Sequence, residues 1–188
     1  MDALPDLAAI RREIDALDAK LRALLLARAD LVAKVAASKA QNGGGPVLRP
    51  AREAAQMEAL LAWQETDAPH LSQRGVLAIW REIIGLAIAQ QGGLQIFITQ
   101  ASEVLARGHF GASLTYVLCA TPHEAVTKLA AAPDAVAVLT RDEAANVDID
   151  AHDAVRHFAD LPFTGAGEGA QAFCYGCLPS DETGGDAQ

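Results

Sequence analysis

Residues 6–41 contain neither proline nor glycine, and apolar residues recur there every three or four positions. The recurring residues are Leu7, Ile10, Ile14, Leu17, Leu21, Leu24, Leu31 and Val35. This spacing predicts one long helix with a single apolar stripe. At ~1.5 Å rise per residue the helix would be about 54 Å long, which is longer than a domain of this size is wide. We therefore expect a second copy of the chain to cover its far end.

Arg28 occupies the position on this stripe where the next apolar residue is due. A guanidinium keeps its charge and is costly to desolvate alone, so we expect an anion beside it. Lys39 lies about three turns further on the same face, roughly 16 Å away. Arg11 is about 25 Å from Arg28 on the same helix, too far to bind the same small ligand within one subunit. An antiparallel partner helix could bring Arg11 of the other chain to that ligand.

The positions of glycine and proline along the chain predict two further helices and a domain boundary. The loop 42–46, with its run of glycines, ends the first helix. Pro50 is suited to the start of a second helix, and that helix is predicted to end at residues 67–69. A third helix is predicted over 72–91, and Gly92-Gly93 would end it and close an all-helical domain of residues 1–92.

The second half has a different pattern, in which short apolar runs alternate with helical stretches. Strands are predicted at 94–98, 114–118, 135–139 and 170–178, and helices at 101–107 and 122–132. This alternation indicates a small α/β domain over residues 93–178. The Gly- and Asp-rich tail, 179–188, is expected to be disordered. The predicted fold class is thus α plus α/β.

Charge is distributed unevenly between the halves. Residues 1–93 carry 11 Lys and Arg against 11 Asp and Glu, whereas residues 94–188 carry 4 against 13. The acidic second half disfavours nucleic acid and anionic membranes as partners. No apolar run reaches the ~20 residues of a membrane span. The N-terminus lacks the order of a signal peptide, so we expect a cytoplasmic protein.

No metal or cofactor site is predicted. Cys174 and Cys177 form a C-x-x-C, but no second pair of ligands with zinc-site spacing accompanies them. We expect reduced structural thiols. The five histidines are scattered and are expected at surface or cap positions.

The first half resembles the all-helical chorismate mutases in the order and spacing of its motifs over residues 5–92. The resembling positions are Leu7 to Asp18 around Arg11, Leu24-Leu25 before Arg28, Lys39, Pro46-Val47, Arg52-Glu53, and Trp80 to Ile84 before Gln91. The resemblance implies an intertwined helical homodimer whose first helix is shared between two active sites. It also implies an isomerase of aromatic amino-acid biosynthesis that converts chorismate to prephenate without a cofactor.

The resemblance implies a role for each matching residue. Arg28, with Arg11 from the partner subunit, would hold the two carboxylates of chorismate, and Arg52 would add positive charge. Lys39 and Gln91 would donate hydrogen bonds to the ether oxygen of the breaking bond, and Glu53 would accept one from the ring hydroxyl. The catalytic set would thus be Arg28, Lys39, Glu53 and Gln91.

Two substrate-binding positions depart from the family pattern. Ala87 stands where a Ser often touches the substrate, and Arg49 replaces an Asp found in some members. The form Arg49-Pro-Ala-Arg52-Glu53 resembles mutase domains fused to prephenate dehydratases. The second half, with His109-Phe110-Gly111, faintly resembles the first lobe of such a dehydratase. The Thr140-Arg141-Asp142 segment lacks the Phe of its catalytic motif, so a degenerate, non-catalytic lobe is expected.

Two other functions remain open. An isochorismate-pyruvate lyase resembles the mutases in fold and in the layout of its cations, but lyases order a Lys in the loop where this chain has glycines. The other possibility is a non-catalytic relic of a mutase, which senses a ligand or binds a partner protein. Ala87 and the acidic second half suggest it.

Overall fold

The computed structural model describes residues 6–41, 47–132, 134–161 and 169–177. The predicted loop at 42–46 and the predicted tail at 179–188 lie outside these residues. The chain divides into two compact units, Met1–Gly44 and Gly45–Gln188, and each is described by itself.

The first unit is one helix, α1, which spans Leu7–Gln41 as the apolar periodicity predicts. Asp6 begins it: its carboxylate accepts the backbone N–H of Ala8 at 3.1 Å, which satisfies one of the open donors of the first turn. None of the residues of α1 is buried in the single chain. The apolar stripe is solvent-exposed along its length, with Leu24 67% exposed.

The second unit begins with two helices, α2 (Pro50–Asp67) and α3 (Gln73–Gln90). Pro50 occupies the start of α2, where its missing N–H costs nothing. The hydroxyl of Ser72 accepts the backbone N–H of Gly75 and caps α3. Between the helices, buried Gln64 donates a side-chain hydrogen bond to the carbonyl of Leu71 at 2.9 Å, which closes the turn.

Five strands and three shorter helices follow within the described residues. They are β1 (Gln95–Ile98), α4 (Glu103–Phe110), β2 (Thr115–Leu118), α5 (Pro122–Ala130), β3 (Val136–Thr140), α6 (Arg141–Ala144), β4 (Arg156–Leu161) and β5 (Ala172–Gly176). They form one mixed sheet of order β2-β1-β3-β5-β4. The first three strands are parallel, and β5 runs antiparallel to β3 and to β4.

The structure confirms an N-terminal helical region followed by a C-terminal mixed sheet. The sequence prediction missed α6 and β4. The edge strand β4 alternates poorly because Arg156, His157 and Asp160 interrupt its apolar residues, and its pairing with β5 shifts register between His157 and Ala159. The intertwining of two chains stays a prediction.

Two hydrophobic clusters lie on opposite faces of the sheet, and one of them joins α2 and α3 to it. Alternate residues of the strands face opposite sides, so that Phe97 and Leu139 pack toward α5 while Ile96 and Val138 face α2 and α3. The core on the helical side contains Met57, Leu60, Ile84, Ile88, Ile96, Ile98, Ala106, Phe110, Val136, Val138, Leu161 and Cys174, among others. It therefore crosses Gly92-Gly93 without a break. The domain limits at 92 and 178 stay predictions.

Candidate active site

The three cations of α1 lie in the first compact unit. Arg11 is exposed, whereas Arg28 and Lys39 are half-buried. α1 is continuous, so its rise of ~1.5 Å per residue gives the separations along the axis. Arg11 lies about 25 Å from Arg28, and Arg28 lies about 16 Å from Lys39. The remaining candidate residues, from Arg49 to Gln91, belong to the second unit.

The start of α2 positions Glu53. The backbone N–H of Glu53 donates to the carbonyl of Arg49 at 3.0 Å, which closes the first helical turn. The backbone of Arg49 also hydrogen-bonds to the Glu53 carboxylate and favours its ionised form. Arg49 is half-buried at the cap position, while Arg52 is exposed on the first turn.

Glu53 forms an ion pair with Arg81 of α3, for which the sequence analysis named no role. Nη1 of Arg81 lies 3.7 Å from Oε2 of Glu53, and the two side chains are only 7% and 14% exposed. Burial raises the pKa of Glu53 to about 7, and the positive charge of Arg81 opposes that rise. Burial also lowers the pKa of Arg81, which Glu53 in turn opposes.

Two side chains from the C-terminal half lie close enough to influence this pair electrostatically. His109 of α4 is buried, and both burial and the charge of Arg81 hold its pKa well below the ordinary value. Cys174 of β5 is fully buried, and burial raises the pKa of its thiol. Both groups are therefore neutral at pH 7, and the ionised groups are Arg81 and a partly ionised Glu53.

The end of α3 brings Ala87 and Gln91 together. Ala87 is buried, and Nε2 of Gln91 donates to the Ala87 carbonyl at 3.1 Å. One of the two N–H groups of the Gln91 side-chain amide is therefore bonded to its own helix. The methyl of Ala87 offers no hydrogen bond in place of the hydroxyl that the family pattern leads one to expect.

The Thr140-Arg141-Asp142 segment has a structural explanation. Thr140 ends β3 and caps α6 in a capping box: its hydroxyl accepts the N–H of Glu143, and the Glu143 carboxylate accepts the N–H of Thr140 at 2.8 Å. The Thr therefore ends a strand and starts a helix.

The described residues contain no cluster of three or more His, Cys, Asp or Glu side chains that could hold a metal ion. None of their helices combines the length and the apolar character that crossing a membrane takes. No disulfide joins Cys119, Cys174 and Cys177, all of which the structure describes.

The comparisons with known proteins agree with the resemblance found in the first half. The family model described as chorismate mutase type II matches residues 10–92, a span that includes every candidate residue from Arg11 to Gln91. No curated protein and no solved structure matches the chain. No family match supports the dehydratase-like reading of the second half. Residues 10–92 are thus similar to chorismate mutase type II domains.

Proposed function

We propose that the chain is a chorismate mutase, an isomerase that rearranges chorismate to prephenate in phenylalanine and tyrosine biosynthesis in the cytoplasm. The family match over residues 10–92 carries this proposal. It is supported by the order of Arg11, Arg28, Lys39, Glu53 and Gln91 within that span.

The reaction is intramolecular, so it requires no nucleophile, metal or proton transfer. The protein has to hold the side chain of chorismate over its ring and to stabilise charge that develops on the ether oxygen. In the proposed site Arg28 binds a substrate carboxylate, Lys39 and Gln91 donate to the ether oxygen, and Glu53 accepts from the ring hydroxyl. Together they have to supply about 8 kcal/mol of differential stabilisation, the lower end of the enzymatic range.

We propose a homodimer in which Arg11 of the partner subunit completes the site. The exposed apolar stripe of α1 supports this, because an unpartnered stripe such as Leu17, Leu21 and Leu24 is unfavourable in water. A second copy of the same helix matches the stripe in length and pattern. Arg49 and Arg52 would add positive charge near the substrate, and Ala87 would line the pocket.

Turnover of chorismate by the full-length chain tests the assignment. We expect prephenate to form, and Arg28→Ala to lower kcat/KM by about 100-fold, since the loss of one partner of a buried charge pair with the substrate carboxylate costs roughly 3 kcal/mol. Arg22→Ala is the matched control, because Arg22 is an exposed cation on the same helix. Equal activity in the two variants would remove Arg28 from the site.

The same assay separates the alternatives. Release of pyruvate from isochorismate, faster than prephenate forms from chorismate, would identify a lyase. Tight binding of chorismate without turnover would identify a sensing or partner-binding protein that has kept only the fold.

A further inference from the structure

We propose that Arg81 is a positioning residue for Glu53, and that the C-terminal half of the chain forms the wall that keeps Arg81 in place. The proposal rests on the proposed function in one respect only, the role of Glu53 at the ring hydroxyl of the substrate. It gives the α/β half a part in the site.

Arg81 and Glu53 form a buried pair in the folded protein. Arg81 is 6% exposed, on a helix whose other buried residues are mostly aliphatic. Its Nη1 lies 3.7 Å from Oε2 of Glu53, beyond the ~2.7–2.9 Å of a charge-assisted hydrogen bond. The contact is therefore electrostatic. It stabilises the ionised form of the carboxylate.

Two residues of the C-terminal half form the wall beside Arg81. His109 of α4 and Cys174 of β5 both interact with Arg81, and both lie beyond residue 93. α4 is held tightly against α3, since a Cβ added at Gly85 would lie 2.6 Å from the carbonyl oxygen of Phe110. Because His109 and Cys174 are neutral, they exclude water from Arg81 without neutralising it. A desolvated guanidinium acts more strongly on a nearby carboxylate than an exposed one does.

The charged and titratable groups around the pair come from several elements. Arg81 from α3 acts on Glu53, His109 from α4 interacts with Arg81, and Cys174 from β5 interacts with both members of the pair. Asp160 of β4 acts on Cys174. Of these, only Arg81 brings a positive charge to the carboxylate. Removal of the guanidinium should therefore raise the pKa of Glu53 by one unit or more.

The pH profile of kcat/KM tests the proposal. Wild type should show an activity that rises with pH through about 7, as Glu53 ionises. In Arg81→Met the rise should move at least one unit higher, which lowers kcat/KM about fivefold at pH 7 and leaves it nearly unchanged at pH 9. Arg81→Lys should restore the wild-type profile in part, and Glu53→Gln should abolish the rise.

Arg74→Met is the matched control, because Arg74 is an exposed cation on the same helix. It should leave the profile unchanged. An equal loss at pH 7 and pH 9 in Arg81→Met would show a structural role alone and overturn the proposal. An Arg74→Met profile shifted like that of Arg81→Met would overturn it as well.

A second measurement does not depend on turnover. A carbon-13 titration of the glutamate side-chain carboxyls assigns Glu53 as the signal absent from Glu53→Gln. Its pKa should be higher in Arg81→Met than in wild type. An unchanged value would overturn the proposal even in an active enzyme, whereas a raised value in a protein that does not turn over chorismate would uphold the pairing and refute the proposed function instead.

Folding of the variants provides a further check. If Arg81→Met alone does not fold, the double variant Glu53→Gln/Arg81→Met should fold, since removal of both charges leaves no buried carboxylate unpaired. In that case the carbon-13 titration of Arg81→Lys replaces that of Arg81→Met. We expect a small rise of the Glu53 pKa in Arg81→Lys, since lysine keeps the charge but not the geometry of the guanidinium. A Glu53 pKa that Arg74→Met shifts as far as Arg81→Lys does would overturn the proposal.

Discussion

At the scale of single residues, Glu53 shows how burial and a fixed cation oppose each other. The carboxylate loses most of its hydration, which favours the protonated form, while Arg81 and the backbone of Arg49 favour the ionised form. Burial dominates, so the folded protein holds the Glu53 proton more tightly than the unfolded chain does. Protonation of Glu53 therefore favours the folded state.

This has a consequence for stability against pH. Because the pKa of Glu53 is raised from 4.5 to about 7 on folding, its contribution to stability is largest below pH 4.5 and falls as the pH rises to 7. From pH 5 to pH 8 wild type should lose about 2.5 kcal/mol of unfolding free energy relative to Glu53→Gln. Urea unfolding at both pH values measures the difference.

The control for this measurement is Glu58→Gln, since Glu58 is an exposed glutamate on the same helix. It removes a charge without touching the pair, so its loss between pH 5 and pH 8 should follow that of wild type. A wild-type protein and a Glu53→Gln variant with parallel pH dependence would contradict the assigned burial of Glu53.

Arg81 could have been found from the sequence by the reasoning applied to Arg28. Leu77, Arg81, Ile84 and Ile88 step by four, three and four, so Arg81 occupies a position on the buried stripe of α3. Arg28 interrupts the apolar stripe of the first helix in the same way. The identity of its partner was beyond reach, since only the fold brings Glu53, His109 and Cys174 to one place.

At the scale of elements, local signals predicted most helices and strands. Pro50, Ser72 and the glycines after Gln91 mark helix ends for reasons that act within a few residues. The capping box of Thr140 and Glu143 has the same local basis, since Thr followed three residues later by Glu favours a helix start. The close contact of α3 with α4 was not predictable, because it depends on residues 25 positions apart.

Gly85 tests that contact. In an exposed helix Gly→Ala is stabilising by up to about 1 kcal/mol. At Gly85 the new methyl would meet the Phe110 carbonyl oxygen at 2.6 Å, so Gly85→Ala should lower the unfolding free energy by about 1–3 kcal/mol. Gly75→Ala on the same helix meets only Ser72, at 3.6 Å, and should be neutral or stabilising. Thermal unfolding of both variants measures the difference in stability. A Gly85→Ala protein as stable as Gly75→Ala would show that α4 is free to move.

At the scale of the whole molecule, the length of α1 was the strongest prediction from the sequence, and the helix spans Leu7–Gln41. The dimer is a prediction from the same pattern, since the apolar stripe continues over the full length of the helix. The cation Arg11 is exposed near one end of the helix, far from Arg28. In the proposed dimer each site takes Arg11 from one subunit and Arg28 from the other.

Subunit mixing tests this division. Arg11→Ala and Arg28→Ala homodimers should both be nearly inactive. A heterodimer of the two variants has one complete site and one doubly altered site, so it should recover about half of the wild-type activity per dimer. The matched control mixes Arg28→Ala with Arg52→Ala, because both residues would serve their own subunit's site. No recovery in the first mixture, or equal recovery in both, would contradict the shared site.

The hydrophobic core that crosses Gly92-Gly93 limits how this protein can be divided. The family match ends at residue 92, whereas Met57, Ile84 and Ile88 belong to the same core as Ile96, Val138 and Cys174. The end of the family match is therefore not the end of the packed core. A chimera that exchanged residues 94–188 for an unrelated domain would have to supply an equivalent apolar surface, because that half of the chain packs against α2 and α3.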